Sequence, residues 1–267
     1  VQLLRYPYAL QAMDFEAGRI VMLGIRIDRS LDHVLGGKNL ADICNNIHHF
    51  RFGVIAVLRN NESIVPWSDF TFQEGDIGYF ILRSDDIDNL LSTLNIPKTH
   101  SDRIMIIGGS KIGRSLAKEL SNVMNVRLID YDRPKAEQIS TKLDDTMVIY
   151  GDGTDIEFLK SENIQEVDGF IAVTENEKTN LIAGLLAHHL GAQKSIIHVV
   201  NTEYMPTIKE IGFGSVISKN LSAANSILRI LHSDSTETSI ATFDEIGVDV
   251  FELQPDKDSA VTKRPLN

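Results

Sequence analysis

Residues 103–117 read Arg103-Ile104-Met105-Ile106-Ile107-Gly108-Gly109-Ser110-Lys111-Ile112-Gly113-Arg114-Ser115-Leu116-Ala117, an apolar run, a glycine-rich turn and then a helical pattern. The consecutive apolar residues 104–107 suit a strand buried on both faces, as in a parallel sheet, and Leu116, Ala117 and Leu120 recur at helical spacing afterwards. Strand meets helix at the glycines. There the free backbone N–H groups and the positive end of the helix dipole can hold a pyrophosphate. Gly108 and Gly113 take the outer places of a G-x-G-x-x-G turn, with Gly109, Lys111 and Ile112 between them, but Ser110 stands where the middle glycine lets the backbone approach the phosphates. Two readings of Ser110 stay open: its hydroxyl donates to a phosphate oxygen, or the turn has lost its ligand.

About twenty residues on, Val126-Arg127-Leu128-Ile129-Asp130 is a second buried strand ending in a carboxylate, where an acid accepts hydrogen bonds from ribose hydroxyls. Asp130, with Tyr131 beside it, favours NAD(H) or an adenine nucleotide, and its charge repels a 2′-phosphate. The other reading of Asp130 is a solvated strand-end residue, since Asp132 follows closely.

The alternation continues. A helix over 135–143, a third strand over 147–150, and the polar loop Gly151-Asp152-Gly153-Thr154-Asp155 come next. That loop fails the D-x-[DN]-x-[DN]-G-x₅-E calcium pattern, and its place at the carboxyl end of a parallel strand points to adenine or ribose contact through Asp152 and Gly153. A fourth strand over 169–174 ends in Thr174, with Glu175-Asn176-Glu177 as the loop above it. A long helix then carries Leu181, Leu185, Leu186 and Leu190 inward and stops at Gly191. A fifth strand over 196–200, a helix over 205–211 and a short sixth strand over 215–217 complete a doubly wound, Rossmann-type parallel sheet.

The 267-residue length allows one large or two ordinary domains, and 43% hydrophobic with 24% charged residues is the balance of a soluble globular protein. No apolar run reaches membrane-spanning length, and the opening Val1-Gln2-Leu3-Leu4-Arg5 lies inside a helical pattern rather than a secretory leader, which suggests a fragment. A net charge of −11 with no basic stripe argues against a nucleic-acid surface. The single cysteine, Cys44, fits a reducing cytosol and a small core residue.

Before the glycine turn lies a small α+β unit. Residues 1–15 look like the tail of a helix interrupted by Pro7, residues 19–28 a strand with one face in and one partly out, and residues 38–49 a helix ending at His48-His49. Residues 52–58 and 77–82 are strands, with turns at Asn60-Asn61 and Glu74-Gly75-Asp76, and an acidic-started helix runs through Leu90, Leu91 and Leu94. Trp67 reads as a partly buried loop anchor. Cys44, His48 and His49 lack the partners a metal site needs, and of His188 and His189 one packs and one faces solvent. The apolar segment 223–231 is similar in character to residues 1–15, and Lys263-Arg264-Pro265-Leu266 parallels Gly37-Lys38-Asn39-Leu40, a repeat boundary followed by a second beginning.

Taken together, the Gly108–Gly113 turn, Leu128-Ile129-Asp130, Gly151-Asp152-Gly153-Thr154-Asp155, Ala172-Val173-Thr174 with Asn180, Tyr204 with Ile211-Gly212, and Met13-Asp14-Phe15-Glu16-Ala17-Gly18 resemble the TrkA family of cytosolic potassium-transport regulators. The resemblance implies the end of a preceding RCK domain at 1–17, a TrkA-C domain at 18–96, a linker at 97–101, an RCK (TrkA-N) domain at 102–232 and the start of a second TrkA-C domain at 233–267. It implies self-association into an RCK ring beneath a Trk-type potassium channel at the inner face of the cell membrane, with NAD(H) or ATP/ADP shifting the gate and no chemistry required. The chain departs from the family at Ser110, and at His198 and Val200, where relatives often carry arginine to meet phosphates. A structural oligomerisation module with a degenerate pocket is one rival. An NAD-dependent oxidoreductase is another, but Tyr204 lacks a lysine four residues on and the α+β unit offers no acid–base pair.

Overall fold

Proline near the start decides how the chain leaves its first helix. The computed structural model describes residues 2–60, 62–97, 101–204, 208, 215–220, 222–224, 227, 237–243 and 248–253. Only Gln2–Arg5 (α1) are helical; Ala9 N donates to Tyr6 O at 3.0 Å across Pro7, and extended backbone follows as β1 (Gln11–Phe15). The helix expected over 1–15 is thus cut to one turn, because proline has no amide for the helical ladder and its ring clashes with the preceding turn. The chain divides into two units, residues 1–10 with 99–220 and residues 11–98 with 221–267.

In the smaller unit, β1, β2 (Ile20–Arg26), β3 (Phe52–Arg59), β4 (Glu62–Ile64) and β5 (Ile77–Arg83) form an antiparallel sheet in the order β1-β2-β5-β3-β4. Helices α2 (Asp32–Leu35), α3 (Leu40–Asn46) and α4 (Ile87–Thr93) accompany it. Asn60, at φ 51°, and Gly75, at φ 92°, make the two turns where the sequence places them. β2 is buried on both faces rather than one: Val21, Leu23 and Ile25 face one layer, and Met22 meets Phe15, Ala56 and Tyr79 on the other. Trp67 is 78% exposed and not an anchor. Cys44 is exposed rather than in the core, because α3 buries only Ile43.

One ion pair closes this sheet. Asp76 is 1% exposed and accepts Arg59 Nε and Nη2, each at 2.8 Å, together with Gln73 N at 2.9 Å. Arg59 Nη2 also donates to Thr71 O at 2.9 Å, and the guanidinium stands 5.0 Å from the Phe70 ring centroid.

The larger unit alternates β6 (Arg103–Ile107), α5 (Lys111–Leu120), β7 (Asn125–Asp130), α6 (Arg133–Ser140), β8 (Thr146–Tyr150), α7 (Ile156–Ser161), β9 (Gly169–Ala172), α8 (Glu177–His189), β10 (Lys194–Val199) and β11 (Ser215–Ser218). All its strand pairs are parallel and the order is β11-β10-β9-β6-β7-β8, the doubly wound Rossmann arrangement with its reversal between β6 and β9. Ile104, Ile106, Leu128 and Ala117 fill the core on one side of the sheet, and Met105, Ile107, Ile129 and Ala183 fill the other. Side-chain caps start the helices: Asp132 accepts from Lys135 N, Asp155 from Glu157 N and Asn176 from Lys178 N. α8 ends before Gly191, at φ 99°. Its buried stripe is Asn180, Ala183, Gly184 and Ala187, so Leu185 is 40% exposed and His188 and His189 are both exposed, contrary to the sequence reading. Small residues let this helix lie close to the sheet, Leu186 and Leu190 pack against the core as the sequence reading expects, and Leu185 is turned away.

Residues 4–10 run past the first residues of β9, β10 and β11. Leu4 is buried so close to Gly169 that a Cβ there would lie 2.6 Å from Leu4 Cδ2. Buried Lys194 points its ammonium at the carbonyls of Tyr6 (3.5 Å), Pro7 (3.3 Å) and Ala9, and Ser215 Oγ donates to Leu10 O at 3.2 Å. Two further strands, β12 (Glu237–Phe243) and β13 (Val248–Leu253), pair antiparallel. Most of the expected helix over 205–211, most of 223–231 and the stretch 263–266 lie outside the described residues.

Arg59→Ala leaves the Asp76 carboxylate buried without its partner and is expected to lower the stability of the smaller unit by about 3–5 kcal/mol in urea denaturation, with little rescue by Arg59→Lys, which cannot donate bidentately. Burial pushes Lys194 down to about 8 from 10.5. The folded unit therefore binds fewer protons than the unfolded chain between those values, so the cost of burying this ammonium is fully present below about 8, and stability rises with pH across that window as the cost is relieved. Lys194→Met is expected to remove that rise from the pH dependence of the denaturation midpoint.

Candidate functional site

The reversal between β6 and β9 leaves a crevice at the carboxyl ends of the strands. A cavity of about 330 Å³ lies there, lined after β6 by Gly108 and Ser110, after β7 by Asp130 and Tyr131, after β8 by Gly151 to Thr154, and after β9 by Thr174, Glu175 and Asn176. Lys135 and Thr179 complete it from α6 and α8.

Close packing shapes the turn that opens the cavity. A Cβ on Gly113 would lie 2.0 Å from Gly108 O, and one on Gly108, already at φ 107°, would lie 2.8 Å from Thr174 N. These outer glycines hold the first turn of α5 against β6 and β9. Ser110, in the middle place, has extended backbone and caps α5 by accepting from Gly113 N at 3.2 Å. Its hydroxyl proton goes to Val173 O at 2.7 Å. In this structure the hydroxyl is therefore engaged within the fold, as donor to Val173 O and acceptor of Gly113 N. The amides of Lys111 and Ile112, the first two helical residues, have no acceptor among the described residues and supply the free donors of the helix N-terminus. Lys111 and Ile112 stand next to the cavity rather than in its lining, as do Gly109 and Gly113.

Asp130 is 2% exposed, which overturns the reading of a solvated strand end. Its Oδ2 accepts Gly109 N at 2.7 Å and pairs with Lys135 Nζ at 2.8 Å, and its Oδ1 accepts Asp132 N at 3.0 Å. Tyr131 is 73% exposed at the rim. In the next loop Asp152 Oδ1 accepts Thr154 N and Oγ1 at 2.8 and 2.7 Å, while Asp155 caps α7. The two glycines of that loop answer to packing, since a Cβ on Gly151 would meet the Phe158 ring at 2.1 Å and one on Gly153 would meet Ile107 at 2.4 Å.

Across the cavity Asn180, fully buried, accepts Thr174 N at 2.8 Å and Thr174 Oγ1 at 2.7 Å, and donates to His198 O at 3.0 Å, tying the β9 loop to β10. Glu177 Oε2 accepts the amides of Asn201 and Val200, each at 2.9 Å, and these bonds hold its carboxyl below the usual range. His198 is pushed down by burial, and its Nε2 has no hydrogen-bond partner among the described residues. The sequence reading missed Lys135 and Glu177. The available signal for each was an ionisable residue in the first turn of a helix that begins at a strand's carboxyl end. A second cavity, about 370 Å³, opens at the amino ends of β6 and β7. There Arg103 pairs with Glu166 at 2.7 Å and Arg127 donates to Glu162 O at 2.7 Å, so both guanidinium groups are engaged within the fold. Among the described residues no group of His, Cys, Asp and Glu is arranged to hold a metal ion, and no helix is long and apolar enough to cross a membrane.

A parallel sheet in this order, with a glycine turn and a buried acid at its switch point, defines a Rossmann-type domain of the nucleotide-binding class. Residues 104–219 match the TrkA-N domain model. The whole chain is similar to "Trk system potassium uptake protein trkA homolog 1" of Methanosarcina mazei, 28% identical over 99% of this chain and 64% of that protein. It is also similar to "Trk system potassium uptake protein TrkA" of Vibrio alginolyticus, 31% identical over 86% of this chain and 49% of that protein. The chain therefore spans about half to two thirds of the length of these curated relatives. Among solved structures, the GsuK RCK domain shares the fold at a TM-score of 0.57 and 20% identity over 87% of this chain and 51% of that one. The GsuK channel bound to NAD does so at a TM-score of 0.54 and 20% identity over 80% of this chain and 37% of that one.

Ser110→Ala removes both the cap and the tie to Val173 and is expected to cost about 1 kcal/mol. Gly113→Ala places a methyl group inside the Gly108 carbonyl and is expected to cost roughly 3 kcal/mol or more. Thermal melts of the two variants followed by circular dichroism check both the values and their order.

Proposed function

We propose that this chain is part of a nucleotide-sensing regulatory subunit of a Trk-type potassium uptake system. The observation that carries the reading is similarity over 99% of the chain to a protein named for that system, combined with an open cavity at the switch point of its TrkA-N domain. Residues 102–232 act as the sensing RCK domain, preceded by a TrkA-C domain at 18–96 and the linker 97–101, with 233–267 opening a second TrkA-C domain. The partner is a Trk-type channel subunit, met at the inner face of the cell membrane by a self-associated RCK ring.

The ligand is NAD(H) or ATP/ADP. The free amides of Lys111 and Ile112 receive its phosphates, Asp130 and Asp152 face the ribose, and Tyr131, Gly153, Thr174 and Glu175 border the base and sugar. That GsuK has been solved with NAD supports the first of these ligands. Binding that favours one arrangement of the ring shifts the gate by its differential affinity, and no bond is made or broken. An oxidoreductase needs a proton donor beside a nicotinamide, and the cavity's central acid and base, Asp130 and Lys135, neutralise each other.

One observation favours a second reading, a structural RCK module whose pocket is filled from within. Asp130 sits on the Gly109 amide, the Ser110 hydroxyl on Val173 O, and Glu177 on the amides at 200 and 201. Calorimetric titration of the chain with NADH, NAD, ATP and ADP separates the two. Saturable binding that weakens at least about tenfold in Asp130→Ala is the outcome expected of a sensor. Absence of binding to all four in the parent chain, with recovery in Ser110→Gly, assigns the domain to scaffolding.

A further inference from the structure

An acid at the end of the second Rossmann strand rejects a 2′-phosphate because its charge stands bare beside the ribose. Asp130 is not bare. Its Oδ2 is shared by the Lys135 ammonium at 2.8 Å and the Gly109 amide at 2.7 Å, and the Asp132 amide lies on Oδ1 at 3.0 Å. The Asp130–Lys135 pair carries no net charge. Among the described side chains lining the cavity Lys135 is the one cation, beside the carboxylates of Asp130, Asp152 and Glu175. Asp152 is turned onto Thr154 N and Oγ1 of its own loop.

An ammonium carries three donors and Asp130 takes one of Lys135's, leaving two for an incoming acceptor. The Lys135 side chain is 32% exposed, so its head can follow a ligand without leaving the carboxylate. Position matters as much as charge. Lys135 stands in the first turn of α6, where the helix N-terminus adds its own attraction for an anion.

We propose that Lys135 is the specificity-determining residue of this pocket: it neutralises Asp130 and offers its remaining donors to a phosphate on the adenosine ribose, so that dinucleotides bind with or without a 2′-phosphate. This inference rests on the nucleotide-binding reading above and reverses the preference that Asp130 alone dictates. Without Lys135, Asp130 becomes the bare acid of an NAD-selective site: the ribose hydroxyls keep their acceptor and a 2′-phosphate meets only repulsion.

The experiment is calorimetric titration of the parent chain, Lys135→Met and Lys135→Arg with NAD and NADP, with circular dichroism melts to confirm that each variant is folded. The parent is expected to bind the two within about threefold of each other, and Lys135→Met to lose at least about tenfold for NADP while NAD changes by less than about threefold or tightens. Lys135→Arg is expected to keep NADP. A parent that prefers NAD by more than about thirtyfold, or a Lys135→Met variant that weakens both ligands equally, overturns the role of Lys135 while leaving the nucleotide pocket in place. Binding of neither dinucleotide by folded parent chain overturns the pocket reading and the proposal with it.

Discussion

A carboxylate buried at the end of β7 needs donors, and three meet Asp130 from three directions: the Gly109 amide after β6, the Asp132 amide after β7 and the Lys135 ammonium on α6. Each donor belongs to a different part of the switch point, so satisfying one side chain sets the distance between the glycine turn and the first turn of α6. The mouth of the cavity follows from that spacing. A buried charge left without partners costs several kcal/mol, so the loops have little freedom to settle elsewhere.

The same logic recurs across the cavity. Glu177 occupies the amides at 200 and 201, Asn180 occupies the amide and hydroxyl of Thr174, and Ser110 gives its proton to Val173. The polar groups that border a ligand site are therefore largely paired before any ligand arrives, and the free donors are concentrated at the first turn of α5. Under the proposed function, a nucleotide entering this site would exchange its own oxygens for the chain's carboxylates, and the exchange would supply a difference between filled and empty loop arrangements. That is the differential interaction a ligand needs in order to shift a conformational equilibrium.

Glycine sets the other constraint. Gly108, Gly113, Gly151 and Gly153 each stand where a Cβ would fall within 3 Å of a neighbouring atom, and the neighbours are strand ends, the Phe158 ring and the α5 turn. The loop over residues 151–155 is thus a packing device whose polar members cap and turn the chain, while its backbone lines the cavity. In the smaller unit the Arg59–Asp76 pair has the organising part that Asp130 has in the larger one, joining β3 to the turn before β5.

Apolar runs, glycine spacing and the acid at position 130 determined by themselves that residues 103–218 make a parallel sheet with a ligand crevice at its switch point, because buried parallel strands and strand–turn–helix joints leave periodic, local signatures. The cavity's principal residues, Ser110, Asp130, Asp152 and Thr174, were legible for the same reason. Local pattern could not decide which polar group answers which. The commitment of Ser110 to Val173, the Lys135 partner of Asp130 and the hold of Glu177 on the amides just after β10 join residues up to 63 apart in sequence. It also misplaced Leu185, Cys44 and Trp67, whose exposure depends on which neighbours arrive. Residues 1–10 carry the same lesson: their sequence predicts helix, and only the docking of Leu4 beside Gly169 and of the Tyr6, Pro7 and Ala9 carbonyls on Lys194 gives them a place. Periodicity specifies which face of an element is apolar, and tertiary structure decides what that face and its polar ends meet.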